Sequence, residues 1–207
     1  MKPTEVLMHE HRIIEQVLNC LEMIANRAEA NRRVDTQAVA KALEFFRTLV
    51  DRCHHWKEEA LLFPMLETKG IPREGETIGV MLIERDQGRS HVRAMAAAVQ
   101  NLQEDSPSAR EQFIEHARAY VELLRQHIHH EDSCLFTMAD EALGANDQQL
   151  LMASFAKVDQ EDIGPEFHAR CVQLANELAD LLGVSKVAES RDGAASDHCR
   201  GNLHSIV

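Results

Sequence analysis

A short pattern written twice limits what this chain can become. The first copy runs His54-His55-Trp56-Lys57-Glu58-Glu59-Ala60-Leu61-Leu62-Phe63-Pro64-Met65, the second His127-Ile128-His129-His130-Glu131-Asp132-Ser133-Cys134-Leu135-Phe136-Thr137-Met138. Aligned at their first histidines, both read His, three residues, Glu, an acid, and then Leu-Phe with Met two positions further on. On a helix, His and Glu four apart lie one turn above each other and reach a common point beside the axis. Two such helices face to face offer two imidazoles and two carboxylates to the space between them. Carboxylate-bridged di-iron sites inside helical bundles are built in this way. The repeat therefore predicts a metal site between helices.

The surrounding chain supports helices throughout. Only 4% of the residues are aromatic, and five prolines and nine glycines punctuate 207 positions, so an all-α fold is expected over a sheet. Helix one is predicted over residues 4–30 with Thr4 as its cap and an apolar line Leu7, Ile14, Leu18, Leu21, Ala25, Ala28. His11 falls in the gap of that line, while His9 points elsewhere. An inward histidine alone is more often a hydrogen-bonded core residue, but two His-Glu pairs elsewhere make His11 a candidate ligand.

Helix two is predicted from Asp35 to Leu66, with Leu43, Phe46, Val50, His54, Glu58, Leu61 and Met65 inward. His55 and Glu59 then turn outward, and Lys57, close to the stripe, is expected to snorkel. Glu58 continues an apolar face, where a carboxylate is costly unless paired or metal-bound. An internal salt bridge is the other reading, and it needs a cation that the neighbouring sequence does not supply. A loop covers 67–76, and helix three covers 77–104 with Ile78, Met81, Arg85, Gly88, Val92, Met95, Val99 and Leu102 inward. Ser106 and Pro107 open helix four, which reaches Leu143. Its face is Phe113, Ala117, Tyr120, Leu124, His127, Glu131, Leu135 and Met138, which leaves His129 and His130 solvated. A fifth segment, interrupted at Ile163-Gly164-Pro165, resumes to Leu182 along Phe167, Cys171, Leu174, Leu178 and Leu181, a helix packed outside the others. Residues 185–207 lack periodicity and are expected to form a disordered tail, in which His198, Cys199 and His204 are incidental.

Composition narrows the function classes. A formal charge of −12 and no basic stripe argue against nucleic-acid binding. No apolar run approaches membrane-spanning length, and the start Met1-Lys2-Pro3-Thr4-Glu5 carries no signal pattern. Five scattered cysteines (Cys20, Cys53, Cys134, Cys171, Cys199) suit a reducing cytoplasm better than a disulfide framework. Cys53 and Cys134 adjoin the motifs but need no redox role, and Tyr120 is expected to be a core tyrosine.

Together these residues resemble the hemerythrin-like (HHE cation-binding) family. The matching stretches are Glu10-His11-Arg12, His54-x-x-x-Glu58-Glu59-x-x-Leu62-Phe63-Pro64 and His127-Ile128-x-x-Glu131-Asp132-x-x-Leu135-Phe136. The resemblance implies an up-down-up-down four-helix bundle over residues 1–145, a helical extension over 146–184, and a non-haem centre of two oxo- or hydroxo-bridged iron ions. Terminal histidines hold the irons and the two glutamates bridge them. Members bind dioxygen, nitric oxide or peroxide, or sense oxygen or iron.

Helix three departs from the family, which usually has Glu-His near its start. Here the stretch reads Glu84-Arg85-Asp86-Gln87-Gly88-Arg89, and a guanidinium cannot ligate a metal. Three outcomes are open: Glu84 turns inward as a carboxylate donor, His91 does so from one stripe further on, or one metal keeps an exchangeable water with Arg85 over the opening. The candidate ligands are thus His11, His54, Glu58, His127 and Glu131, with Glu84 and His91 as replacements. Two histidines with two carboxylates suit iron better than structural zinc. The expected function is binding or sensing of dioxygen, nitric oxide or peroxide. The alternatives are a di-iron enzyme that decomposes peroxide or reduces nitric oxide, and an iron-responsive or structural metal-binding bundle.

Overall fold

The computed structural model describes residues 1–74, 77–102, 107–162, 164 and 166–187, and among these it is helical with no strand. Among the described residues eight α-helices run in order: α1 Pro3–Asn31, α2 Thr36–Phe45, α3 Phe63–Thr68, α4 Ile78–Gln100, α5 Pro107–His130, α6 Phe136–Ala142, α7 Ala145–Lys157 and α8 Phe167–Leu182. The helix-one start differs from expectation. Pro3 occupies the first turn, and the Glu5 carboxylate accepts the Lys2 backbone N–H at 2.7 Å. The Thr4 hydroxyl donates instead to Asp140 on α6, 2.8 Å away, because the chain enters the helix earlier than the Thr signal suggests. Asp35 caps α2 as expected, accepting the Ala38 N–H at 3.0 Å. The expected cap Ser106 and the isoleucine and proline flanking Gly164 lie outside the described residues, as does the tail beyond residue 187 with His198, Cys199 and His204.

Wider π-type turns join α2 to α3 (Phe46–His55 and Glu58–Leu62) and α5 to α6 (Glu131–Leu135). Both motif glutamates therefore open a π turn, so the two repeats share a backbone irregularity as well as a sequence. Such insertions bring an extra residue per turn and are frequent at functional sites. They also shift the helical phase. Leu62, Phe63 and Leu66 are buried where constant α-phase expects Leu61 and Met65, and Phe136 and Ala139 are buried where it expects Met138.

The same widening turns His55 inward and buries Lys57 completely, overturning the expected outward histidine and snorkelling lysine. Lys57 Nζ lies 3.0 Å from Glu10 and 2.8 Å from Asp159, two carboxylates from neighbouring elements that hold its ammonium in the interior.

Helix α4 packs along α5, α1 along α5 and α8, and α2 against α1 and α8. Two apolar cores result. One is built from Ile14, Leu18, Leu21, Phe45, Phe46, Met95, Phe113, Tyr120 and, from α8, Cys171, Ala175, Leu178 and Leu182. The other gathers Leu7, Leu62, Phe63, Leu66, Met81, Leu135, Phe136 and, from α7, Leu151 and Phe155. On α8 the inward line ends on Leu182, and Leu181 is exposed, one position from the expected phase.

Along α1 the step from Leu7 to Ile14 passes from one core to the other, and His11 lies in the gap. The buried polar residues His54, Glu58, Arg85 and Glu131 lie between the same two cores on the other helices. A layer of charge is thus closed above and below by hydrocarbon. Among the described residues no helix is long and apolar enough to cross a membrane.

Thiol reactivity follows from this packing. Cys20, Cys53 and Cys171 are buried and Cys134 is exposed. Burial pushes the Cys53 thiol up to about 12 and the Cys20 thiol up to about 11. Since the thiolate is the reactive form, iodoacetamide should modify Cys134 in the native protein while sparing Cys53 and Cys20, as peptide mass spectrometry would show.

Candidate metal centre

Helical periodicity carries His11 from α1, His54 from the segment after α2, and His127 from α5 into the polar layer. Each imidazole is then oriented by a carboxylate from a different helix. His11 Nδ1 donates to Asp132 at 2.6 Å, His54 Nδ1 to Glu10 at 2.9 Å, and His127 Nδ1 to Glu84 at 2.7 Å. A carboxylate can only accept, so each Nδ1 carries the proton and each Nε2 faces the centre. Carboxylate–histidine pairs of this kind fix the ring and raise its basicity toward a metal.

The inward atoms converge. His11 Nε2 lies 2.9 Å from His54 Nε2 and 3.1 Å from Glu131 Oε2, and His54 Nε2 lies 3.5 Å from Glu58 Oε2. Donor atoms of His11, His54 and Glu131 all sit within 4.8 Å of one another. Two ligand nitrogens about 2.1 Å from one ion and at right angles are about 3 Å apart, so these spacings match neighbouring positions around one cation. Glu58 Oε1 is buried without a hydrogen-bond partner, and Glu131 Oε2, equally buried, makes no hydrogen bond and has only its ion-pair contact with His11 Nε2. Orphaned carboxylate oxygens are costly in a dry interior, and a bound cation would satisfy them. The residues present fit a metal ion on this side.

Arg85 occupies the other side. Its Nη2 lies 2.6 Å from Glu58 Oε2 and 2.7 Å from Glu131 Oε1, and its Nη1 lies 3.3 Å from Glu59. The Phe63 ring covers the guanidinium, 4.8 Å from its central carbon. This is the cation that the sequence around Glu58 did not supply. Of the outcomes open for helix three, the guanidinium takes a deeper place than the opening, wedged between the two carboxylates. Glu84 is brought to the centre, but on the outer nitrogen of His127. His91 is not brought there: its Nδ1 lies 3.2 Å from His116 Nδ1 in a partly buried pair between α4 and α5.

Charge follows the geometry. Burial alone would depress His11, but the Asp132 and Glu131 carboxylates override it and raise the ring to about 10. Burial likewise opposes a charged His127, and Glu131 and Glu84 raise it to about 9. Glu10 is driven down to about 2 by His54 and Lys57 against its own desolvation. Burial and Arg85 push His55 well below its ordinary value, and neither of its ring nitrogens makes a hydrogen bond, the nearest carboxylate being Asp51 at 3.9 Å from Nδ1. It lines a cavity of about 140 Å³ together with Phe46, Val50, Arg85, Val92 and Tyr120.

These shifts give a pH dependence with a definite sign. With chelator present, the folded protein keeps the His11 proton up to about 10, whereas the unfolded chain releases it near 6.5. That contribution is complete below 6.5 and is lost as pH rises through 10. The Glu10 contribution is complete above 4.5 and is lost as pH falls toward 2. Urea midpoints of the chelated protein should therefore fall from about pH 6 to about pH 9. Metal affinity should rise over the same range, because ligation displaces those protons.

Sequence reasoning missed the orienting roles of Glu10, Asp132 and Glu84 and the buried state of His55 and Lys57. One signal was available for the carboxylates: Glu10 and Asp132 each directly adjoin a motif residue, His11 and Glu131. Asp132→Asn should lower metal affinity about 10–100-fold while leaving the helical circular dichroism unchanged, which a competition titration with a chelating dye would measure. Asp132 also pairs with Arg12, so the aspartate is held from two sides.

The family model described as Hemerythrin HHE cation binding domain matches residues 2–139, well over half of the chain. Among curated proteins, "Uncharacterized protein Rv1995" of Mycobacterium tuberculosis and "Uncharacterized protein Mb2018" of Mycobacterium bovis are each 22% identical over 186 residues, covering 89% of this chain and 72% of theirs. No solved structure matches.

Proposed function

The chain belongs to the hemerythrin HHE cation-binding family, and from that premise we propose that it is a non-haem iron protein that binds or senses dioxygen, nitric oxide or peroxide. The observation that carries the reading is the triple carboxylate–histidine arrangement, which aims the Nε2 atoms of His11, His54 and His127 at one interior layer. Structural zinc sites favour closed four-coordinate Cys and His sets, whereas mixed imidazole and carboxylate donors suit iron. His11, His54, Glu58 and Glu131 would hold the ion. When bound, ferrous iron supplies open coordination positions for a small diatomic molecule or peroxide.

The chain's own residues do the rest. Asp132 and Glu10 keep the two rings in place. Phe136 stacks on His11 at 5.4 Å between ring centres, and with Phe63 it keeps water from the layer. The up-down-up-down four-helix arrangement over residues 1–145, with the helical extension 146–184 against it, belongs to the same reading. So does a cytoplasmic setting, which the buried, unbridged Cys20, Cys53 and Cys171 support. The charge of −12 supports a small-molecule ligand over nucleic acid.

Anaerobic addition of ferrous iron should give bound metal after desalting and should quench Trp56, two positions from His54. Nitric oxide should then produce a new visible absorption band. A protein that retains no iron under anaerobic loading would end this reading.

His55 gives one reason to weigh a second reading, an enzyme that decomposes peroxide or reduces nitric oxide. It is a neutral imidazole that makes no hydrogen bond, on the wall of the cavity, placed to exchange a proton with a bound molecule. Turnover of peroxide or nitric oxide that disappears in His55→Phe while the iron content stays constant would favour the enzyme. Reversible binding without turnover favours the carrier or sensor.

A further inference from the structure

We propose that the Arg85 guanidinium holds the place of a second metal ion, so that the centre carries one ferrous ion on His11, His54, Glu58 and Glu131 in place of an iron pair. This rests on the iron reading above and narrows it.

Four observations converge. One guanidinium nitrogen, Nη2, touches a carboxylate oxygen from each motif, Glu58 Oε2 and Glu131 Oε1, as a bridged cation would. The other oxygens of those carboxylates, Glu58 Oε1 and Glu131 Oε2, remain buried and without hydrogen bonds. Glu131 thus divides its oxygens, Oε1 for the guanidinium and Oε2 toward His11, while Glu58 turns the oxygen that meets the guanidinium, Oε2, toward His54 Nε2 at 3.5 Å as well. The third oriented imidazole, His127, has its Nε2 3.0 Å from Glu131 Oε1 and 3.4 Å from Arg85 Nε, so the guanidinium stands where an ion on His127 would be. Arg85 also has nowhere cheaper to go. Its side chain is fully buried under Phe63, with Glu59 on a second nitrogen.

Charge and donor type lead to the same count. A guanidinium keeps its proton and offers no lone pair, so it repels a metal ion and cannot ligate one. A second divalent ion beside His127 would lie against the Arg85 guanidinium, and the repulsion between the two cations would have no new anion to offset it. Two histidines and carboxylate oxygen around an ion with open positions form a recognised donor set for mononuclear ferrous iron. The repeat looks symmetric in sequence, yet the His54 imidazole faces His11 and the His127 imidazole faces Arg85.

The test counts ions. The full chain would be loaded anaerobically with excess ferrous iron, desalted, and analysed by inductively coupled plasma mass spectrometry. Electron paramagnetic resonance would follow after oxidation. About one iron per chain with a high-spin ferric signal is expected. About two irons with no signal, as in a coupled ferric pair, would overturn the proposal. No iron at all would instead bring down the broader iron reading and this proposal with it, a failure of a different kind.

Arg85→His exchanges the cation for an imidazole donor. It should raise the count to about two and abolish most of the mononuclear signal. A folded Arg85→His protein that still binds about one iron with the wild-type signal would show that Arg85 is not what excludes the second ion. Should that variant not fold, Arg85→Lys keeps a cation there and should retain about one iron. A rise to two in Arg85→Lys would count against the proposal.

Discussion

A Lys57→Met variant is expected to unfold at a clearly lower urea concentration than the parent chain, having lost about 3–5 kcal/mol. Lys57 is completely buried, and its ammonium lies between Glu10 and Asp159. Removing it leaves the Glu10 carboxylate buried with the His54 ring and the more distant His168 as its remaining partners. An uncompensated buried charge is among the few single changes that reach this size. The ammonium also lies 5.6 Å from the Phe155 ring of α7, so its loss loosens the contact between α7 and the centre. Adding Glu10→Gln to Lys57→Met should restore much of the lost stability, because the orphaned charge goes as well. Equal unfolding midpoints for Lys57→Met and the parent would show that the ion pair contributes nothing to the fold.

The second large effect concerns Glu131, which meets His11, His127 and Arg85 together. It lies 3.1 Å from His11, 3.0 Å from His127 and 2.7 Å from Arg85, and those cations hold its carboxyl well below the usual range against strong desolvation. Glu131→Gln keeps the shape and removes the charge. Iron affinity should fall by more than the roughly 10–100-fold expected for an orienting residue, since a direct ligand and a counter-charge are lost together. A competition titration followed through Trp56 fluorescence would measure it. Affinity within a few-fold of the parent would remove Glu131 from the ligand set. The same variant leaves Arg85 paired with Glu58 as its one fully buried carboxylate, so the metal-free protein should be destabilised too.

Much of the fold was legible because helices in water must hide one stripe. The lines through Leu7, Ile14 and Leu18, through Phe113, Ala117 and Tyr120, and through Met81, Arg85 and Gly88 are buried as periodicity requires. The same logic put His11, His54, Glu58, His127 and Glu131 on interior faces, and left His129 and His130 in solvent. Phase failed at and beyond the π turns and at the end of α8, where Leu182 is buried in place of Leu181. A π turn adds a residue without any distinctive amino acid, so Leu61, Met65 and Met138 were placed inward when Leu62, Phe63 and Phe136 take those positions.

By itself the sequence determined that the chain is helical, that two His-x-x-x-Glu turns share one interior layer, and that Arg85 lies on the inward face of its helix. Local periodicity suffices for each of these, because each depends on residues within a few turns of one another. Only the tertiary structure decided what meets in the layer. It set Asp132 on His11, Glu10 on His54 and Glu84 on His127, turned Lys57 and His55 inward, and placed the Arg85 guanidinium between Glu58 and Glu131. Those contacts join residues 27 to 121 positions apart. Side-chain reach across an interface depends on how far each helix is turned and slid against its neighbour, and no local pattern encodes that.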